Sequence, residues 1–391
     1  MGARFLQDDG KQGIKNKMER ERMENRMFVD VHVIQTVPPS CVNRDDTGSP
    51  KTAMYGGAKR SRVSSQSWKK AMRDYFRERF DESQMGVRTT DIVELVAEKI
   101  CEIDPSVQRE DAVEKADKVI NASGVKTSQK KKGKEEDENS TPKSGALFFM
   151  STKQAENMAM LAIRGDYNKK EVQEALNKGH GIDIALFGRM VADDPSLNAD
   201  ASAQVAHSIS THKVDNEYDY FTAIDDRSPE DNAGAGMIGT VEFNSSTLYR
   251  YATLAVHDLY KNLEGSGTVA AKATSEFVRA FVLSMPTGKQ NTFANRTVPD
   301  AVFISVRNDQ PVNLVAAFES PVHPDRAAGG YASDSIERLV REEKAVCSSF
   351  VSAPSKTWQI GKGMEEFGPN ADIEMVTKEI EDFISGELST W

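Results

Sequence analysis

The stretch from Trp68 to Phe80 constrains the fold more than any other. Trp68, Ala71, Met72, Tyr75, Phe76 and Phe80 recur at the i, i+3, i+4, i+7 and i+8 spacing of a helix with one buried face. Such a helix needs a body to pack on. Upstream, Phe28 to Gln35 is a strand candidate rich in Val and Ile, with Val29, Val31 and Val33 on one face and Asp30 and His32 on the other. Two loops rich in Pro, Gly and Ser join strand to helix.

The helix's other side is basic. Lys69, Arg73 and Arg77 fall on one polar stripe that Lys70 flanks, and successive members lie roughly 6 Å apart along the axis, a spacing that suits consecutive backbone phosphates. From Lys51 to Arg79 there are nine Lys or Arg against two acids, a local balance of +7 in a chain of −10, which leaves −17 for the remainder. This asymmetry points to a confined anion-binding surface with a polyanion as guest. The plainer reading is a solvated surface helix. Ser64 and Ser65 sit where an N-cap belongs, where first-turn amides favour an anion. Gly56-Gly57 would let a backbone approach a phosphate closely. Asp45 and Asp46 could bind Mg²⁺ and open an RNA endonuclease reading, or serve as a turn cap or salt bridge beside Arg44. Asp193 and Asp194 are further carboxylates for that reading only by being acidic. His32, with no second His nearby in sequence, reads as a hydrogen-bonded structural residue.

NRDD at Asn43 to Asp46, YGG at Tyr55 to Gly57 and RVSSQSWKKAMR at Arg62 to Arg73 resemble the CasC-type backbone subunit of type I-E CRISPR Cascade surveillance complexes. The likeness recurs in the family's order at Gly181 to Met190, Ala206 to Asp226, Gly239 to Ala252 and Pro286 to Ala294, and is weaker in the insert that precedes Gly181 and beyond about Asn308. It implies a non-catalytic, sequence-independent protein without cofactor that polymerises along the crRNA spacer. Arg44, Lys51, Ser64, Gln66, Lys69, Lys70 and Arg73, with Lys289 and Gln290 in the PTGKQNTFA loop, are expected to hold phosphates and sugars. Met190, Phe221 and Thr222 match the positions of a thumb-like β-hairpin that wedges against a displaced base, although by themselves Met190 and Phe221 also read as core. Implied partners are the crRNA, neighbouring copies, the large and small subunits, a 5′-handle-capping subunit, a hairpin-processing endonuclease, and target DNA through guide pairing.

The rest of the chain sets the frame. At 391 residues two or three domains are expected. Cys41, Cys101 and Cys347 lack any metal-binding or disulfide spacing, no apolar run is long enough for a bilayer, and a cytoplasmic protein fits best. Residues 1–26 read as an extension from a start codon placed too far upstream, or as a basic arm that touches RNA. From 89 to 180 the pattern is helical, a fingers insert broken by a charged low-complexity linker over 126–145. Residues 181–190 read as a palm strand and 191–236 as the thumb. GAGMIG at Gly234 to Gly239 is a decoy of the dinucleotide fingerprint, since a polar loop precedes it and a strand follows. Beyond it, Met237 to Phe243 and Thr247 to Val256 read as paired strands around an Asn244-Ser245-Ser246 turn. A helix near Thr268 to Met285, a strand at Ala301 to Val306 and a terminal helix at Ala371 to Leu388 follow. The sum, with residues 27–88 as its first part and 237–391 as its remainder, is an α+β fold. It is a modified ferredoxin-like, RNA-recognition-motif-like palm without the usual RNP1 signature.

Overall fold

The Val and Ile run becomes β1, Phe28–Ser40, and both of its faces are buried. A computed structural model of the protein describes residues 25–128, 131–132, 135–136, 141–223, 237–325 and 329–391. It divides into two units. The first comprises the chain up to Tyr75, Val205–Thr253 and Thr274–Trp391; the second comprises Phe76–Gln204 and Leu254–Ala273. Among the described residues no helix is long and apolar enough to cross a membrane.

The strands of the first unit include β1, β2 (Thr52–Tyr55), β3 (Ala58–Val63), β4 (Ser208–Ser210), β5 (Glu217–Ala223), β6 (Met237–Ala255), β7 (Ala301–Arg307) and β8 (Lys356–Gly361). The main sheet runs β8-β7-β1-β6-β4-β3-β2. The central four, β7-β1-β6-β4, reproduce the 4-1-3-2 order of a ferredoxin-like core, with α1 (Ser65–Phe76) after its first strand and α2 (Gly267–Leu283) after its third. The first and last strands of that core pair antiparallel from Phe28↔Arg307 to Ile34↔Ala301.

The helices cover one face. Trp68, Met72 and Phe76 of α1 are fully buried, and the Trp68 indole N–H donates to Ser208 Oγ at 2.9 Å. Arg250 of β6 is buried beneath them, its guanidinium carbon 3.8 Å from the Trp68 ring centre and 4.7 Å from that of Phe281 in α2. Burial lowers its pKa to about 9, so it stays charged at neutral pH. α1 ends at Phe76, four residues before the apolar pattern does, so Arg77 leaves the stripe. The Phe80 amide still reaches back to the Phe76 carbonyl, which keeps its ring edge-on to Phe76.

The opposite face explains why Asp30 and His32 are buried. α3 (Ala332–Ser349) and the turn at Leu314–Phe318 pack there on Ile34, Tyr249, Tyr251 and Phe303. His32 Nδ1 lies 2.9 Å from Tyr249 Oη, the structural role expected of it, and burial lowers its pKa to about 3. Asp30 accepts from Tyr251 Oη and the Val312 amide, and burial raises its pKa to about 6. The terminal helix α4 (Ile373–Leu388) turns Val376, Ile380 and Ile384 inward, and its Glu374 pairs with Arg279 of α2.

Two expected elements differ. The stretch 181–190 is not a strand of the sheet: Ile182–Phe187 is a short helix of the second unit, with Ile182 to Leu186 all buried. A short continuous apolar run has no period to tell helix from strand, and Gly188, at φ 75°, ends it. The sheet position falls instead to β4, inside the stretch read as thumb. Asn244-Ser245-Ser246 makes no turn either, because β6 runs unbroken through it. The Asn244 amide accepts from Ser61 Oγ at 3.1 Å and donates to Asn216 at 3.2 Å, so its polar atoms are met across the sheet. The first part of β6 pairs with β5, from Glu217↔Phe243 to Ala223↔Met237, which moves Met237 to Phe243 from the palm into the hairpin.

The second unit is built on the expected helices, Ile92–Ile103, Arg109–Ser123, Thr152–Arg164 and Lys169–Leu176, around one core that includes Val96, Ile120, Met158 and Leu176. The linker's ends are tied, since Thr127–Ser128 pairs with Lys143–Ser144. Most of its middle, the greater part of the N-terminal extension and residues 224–236, which include Gly234 to Gly236, lie outside the described residues.

Asp30 and His32 act on stability with opposite sign. His32, its pKa lowered, costs stability as pH falls from about 6.5 toward 3, because the unfolded chain then binds the extra proton. Asp30, its pKa raised, contributes stability below the carboxylate's unfolded value and loses it as pH rises through about 6. The two offset each other between pH 6 and 4. Asp30→Asn is expected to deepen the loss of unfolding free energy between pH 7 and pH 5 by about 1 kcal/mol. Urea unfolding at both pH values tests this, and an unchanged difference contradicts it.

Candidate nucleic-acid interface

The basic segment folds so that its loops and helix start are knitted together. Ser64 is the N-cap of α1: its Oγ accepts from the Gln66 amide, its own amide donates to Asn43 Oδ1 at 2.9 Å, and its carbonyl accepts from Ser67 and Trp68. The Ser65 amide donates to His207 Nδ1 at 3.0 Å. The first-turn donors expected to receive an anion are therefore engaged within the protein, and the anion-binding capacity lies in side chains.

Those side chains converge. The Lys51 amide donates to the Asn43 carbonyl and the Arg62 amide to the Lys51 carbonyl, which sets Lys51 and Arg62 beside the helix start. A Cβ on Gly288 would stand 2.0 Å from the Val42 carbonyl oxygen, so the Lys289 loop lies directly on the loop that carries Arg44. Electrostatics report the same closeness. Burial raises the Cys41 thiol's pKa, while the charges of Arg44 and Lys289 pull it down. Among the described residues the Arg44, Lys51 and Lys289 side chains make neither hydrogen bond nor ion pair; Arg44 and Gln66 are exposed, Lys51 and Lys289 half-buried.

The other expected contacts stand as follows. Lys69 is partly buried, which lowers its pKa, and Arg73 is half-buried one turn on. Lys70 is exposed and pairs with Asp74. Gln290 opens the short helix Gln290–Phe293. Arg60, counted among the nine basic residues, is fully buried and donates to the carbonyls of Tyr55, Ser210, Thr211, Phe318 and Glu319, so it staples loops together. Phe221 lies on β5 opposite Gly239, where its ring occupies the space a Cβ would need. Thr222 beside it is exposed, and Tyr218, Tyr220 and Ile238 are exposed on the same hairpin. Met190, in the second unit, is 85% exposed, which excludes a core role.

Two loop readings change. Gly56 and Gly57, at φ 55° and 73°, form the two-residue turn of the β2-β3 hairpin, in which both residues need positive φ. The close approach that Gly56 permits is to the chain's own Glu319 carbonyl, since a Cβ would sit 1.6 Å from that oxygen. Asp45 is a turn cap: its Oδ1 accepts from the Thr47 hydroxyl at 2.7 Å and from the Thr47 and Ser49 amides at 3.0 Å, and these bonds, the hydroxyl's foremost, hold its pKa below the usual carboxylate value. Asp194 likewise caps a turn through Ser196. Among the described residues no three His, Cys, Asp or Glu side chains gather as metal ligands.

A ferredoxin-like palm carrying a two-stranded extension, with a helical unit inserted in its sequence, defines the class of protein. The chain belongs to the CT1975-like protein family, whose model matches residues 29–386. It is similar to a chain of a CRISPR RNA-guided surveillance complex, pre-nicking, at 30% identity and a TM-score of 0.77, over 92% of this chain and 100% of that one. A second CRISPR RNA-guided surveillance complex contains a chain 27% identical, with a TM-score of 0.67, over 90% of this chain and 99% of that one. No curated protein matches the chain in sequence.

The hairpin turn gives a direct test of why the double glycine is there. Gly57→Ala meets no neighbour and bears only the left-handed conformation, costing about 1–2 kcal/mol. Gly56→Ala adds a backbone collision and is expected to cost several times more. Denaturant midpoints of the two variants decide it, and equal losses would mean that the Glu319 contact is dispensable.

Proposed function

We propose that the chain is a non-catalytic, guide-RNA-binding backbone subunit of a CRISPR surveillance complex of type I-E. Copies of it would line up along the crRNA spacer and leave the bases free to pair with invading DNA. The observation that carries this reading is the convergence of the loops bearing Arg44, Lys51 and Lys289, whose side chains have no partner among the described residues, on a chain that is acidic as a whole. Three cations that find no partner among the described residues, on neighbouring loops, suit a string of phosphates, which is read by charge and spacing and not by base identity. Lys69, Lys70 and Arg73 extend the surface along α1, and Phe221 and Thr222 on the hairpin supply groups that separate neighbouring bases; Met190 of the second unit is exposed and apolar, as that role needs. The kinship with chains of RNA-guided surveillance complexes supports the same reading.

The other reading, a Mg²⁺-dependent RNA endonuclease at Asp45 and Asp46, sits poorly with the geometry, because Asp45 already holds three donors of its own turn. Light scattering after size exclusion, with intact single-stranded RNAs of increasing length in Mg²⁺, separates the two. Mass rising in whole-protomer steps on uncut RNA is the expected result, whereas shortened RNA would favour the nuclease. Arg44→Ala, Lys51→Ala and Lys289→Ala are each expected to weaken RNA binding and to reduce the log–log salt slope by about 0.7 per lost phosphate contact. Slopes unchanged in all three would remove these residues from the interface.

A further inference from the structure

His207 was not among the residues that the sequence marked, yet it stands in the middle of the basic surface. It directly precedes β4, and the ladder that pairs Ile209 with Arg62 and Ser208 with Val63 brings it opposite Ser64, 143 residues away in sequence. Its Nδ1 accepts the Ser65 amide. A ring nitrogen that accepts a backbone N–H carries no proton, so the neutral imidazole is held in the tautomer with its hydrogen on Nε2. Burial, followed by the charges of Arg62 and Lys51, lowers its pKa and keeps it neutral. The side chain is exposed, and among the described residues Nε2 has no partner. Among the described residues Arg62 spends only its Nε, on the Thr52 carbonyl at 3.4 Å, and its two terminal nitrogens have no partner.

We infer that His207 and Arg62, flanked by Lys51, form a further seat for a phosphodiester of single-stranded RNA, with His207 Nε2–H as an uncharged donor and Arg62 as the cation. The inference rests on the RNA-binding reading above and extends it to two residues outside the expected set. The chemistry suits a phosphate better than a neutral group, because two cations converge beside a donor whose hydrogen is aimed away from the protein. His207 is also the hinge between the site and the fold, since the same ring fixes the first amide of α1 and offers its far nitrogen outward.

The two nitrogens can be separated by substitution. His207→Asn keeps an acceptor within reach of the Ser65 amide and loses the outward donor; His207→Gln keeps an outward N–H and gives up the near acceptor. Fluorescence anisotropy of the full chain with a labelled single-stranded RNA of mixed sequence, across a salt series, reads the difference. His207→Asn is expected to weaken binding about fivefold, the worth of one hydrogen bond, with an unchanged salt slope, while His207→Gln stays near wild type. Arg62→Gln is expected to weaken binding and to lower the slope by about 0.7. Unfolding midpoints within error of wild type exclude a folding defect. The reverse pattern, with His207→Gln impaired and His207→Asn normal, would make His207 a support for the helix and overturn the seat. A lower slope in His207→Asn would mean a charged ring and overturn the neutral donor. Wild-type binding with both His207→Asn and Arg62→Gln unaffected would sink this inference alone, whereas a wild-type chain with no affinity for RNA would sink the reading beneath it as well.

Discussion

A single buried charge governs how the basic helix sits. Arg250 lies between the rings of Trp68 and Phe281, with Gln35 Oε1 and the Phe281 carbonyl as its hydrogen-bond acceptors and, among the described residues, no partner for its Nε. A cation in that position is tolerated only while aromatic faces and neutral acceptors surround it. Rolling α1 about its axis would strip Trp68 from the guanidinium and leave a buried charge uncovered, a change worth several kcal/mol. The orientation of Lys69 and Arg73 is thus set from beneath, by a residue that never meets solvent. The Trp68–Ser208 hydrogen bond adds a second fix, and it ties the helix to the strand that brings His207 to the surface.

The basic residues divide by what surrounds them. Arg60 and Arg250 are fully buried and spend their donors on carbonyl and amide oxygens, where they act as staples. Among the described residues the side chains of Arg44, Lys51 and Lys289 make no hydrogen bond or ion pair, and Arg62 makes one, from its Nε to the Thr52 carbonyl. A buried staple cannot meet a guest from outside, whereas a cation of the second kind is open to one. A count of charges along the sequence cannot separate the two, because the difference lies in which carbonyls the folded chain leaves without amide partners near each arginine.

This division also marks what the sequence made legible. The buried face of α1 and the Val-rich β1 follow from period alone, as do the helices of the second unit and the terminal helix. Elements whose identity depends on distant partners did not. The run from Ile182 to Phe187 is apolar throughout and carries no period, and β4 is three residues long with serines at both ends. The apparent turn at Asn244 dissolves because Ser61 of β3 and Asn216, just before β5, meet its amide. At the site, the basic loop, the Ser64 cap and the Asp45 turn were visible as local chemistry. His207 was hidden for the opposite reason, since what sets it apart is an amide contact 142 residues away.

The strand order has a consequence for how the chain assembles. β1 lies between β6 and β7, so the first strand to leave the ribosome waits for partners that begin more than 200 residues later. The insert between them carries its own core and is nearly contiguous, lacking only Leu254–Ala273. Local helical contacts form early, and non-local strand pairing comes last because it must close the longest loop. A nascent chain therefore holds β1, apolar on alternate positions, with both edges open until β6 is made and the edge facing β7 open until Arg307 is made. For that interval, its solubility rests on the charged segments that surround the strand and not on the fold they will later serve.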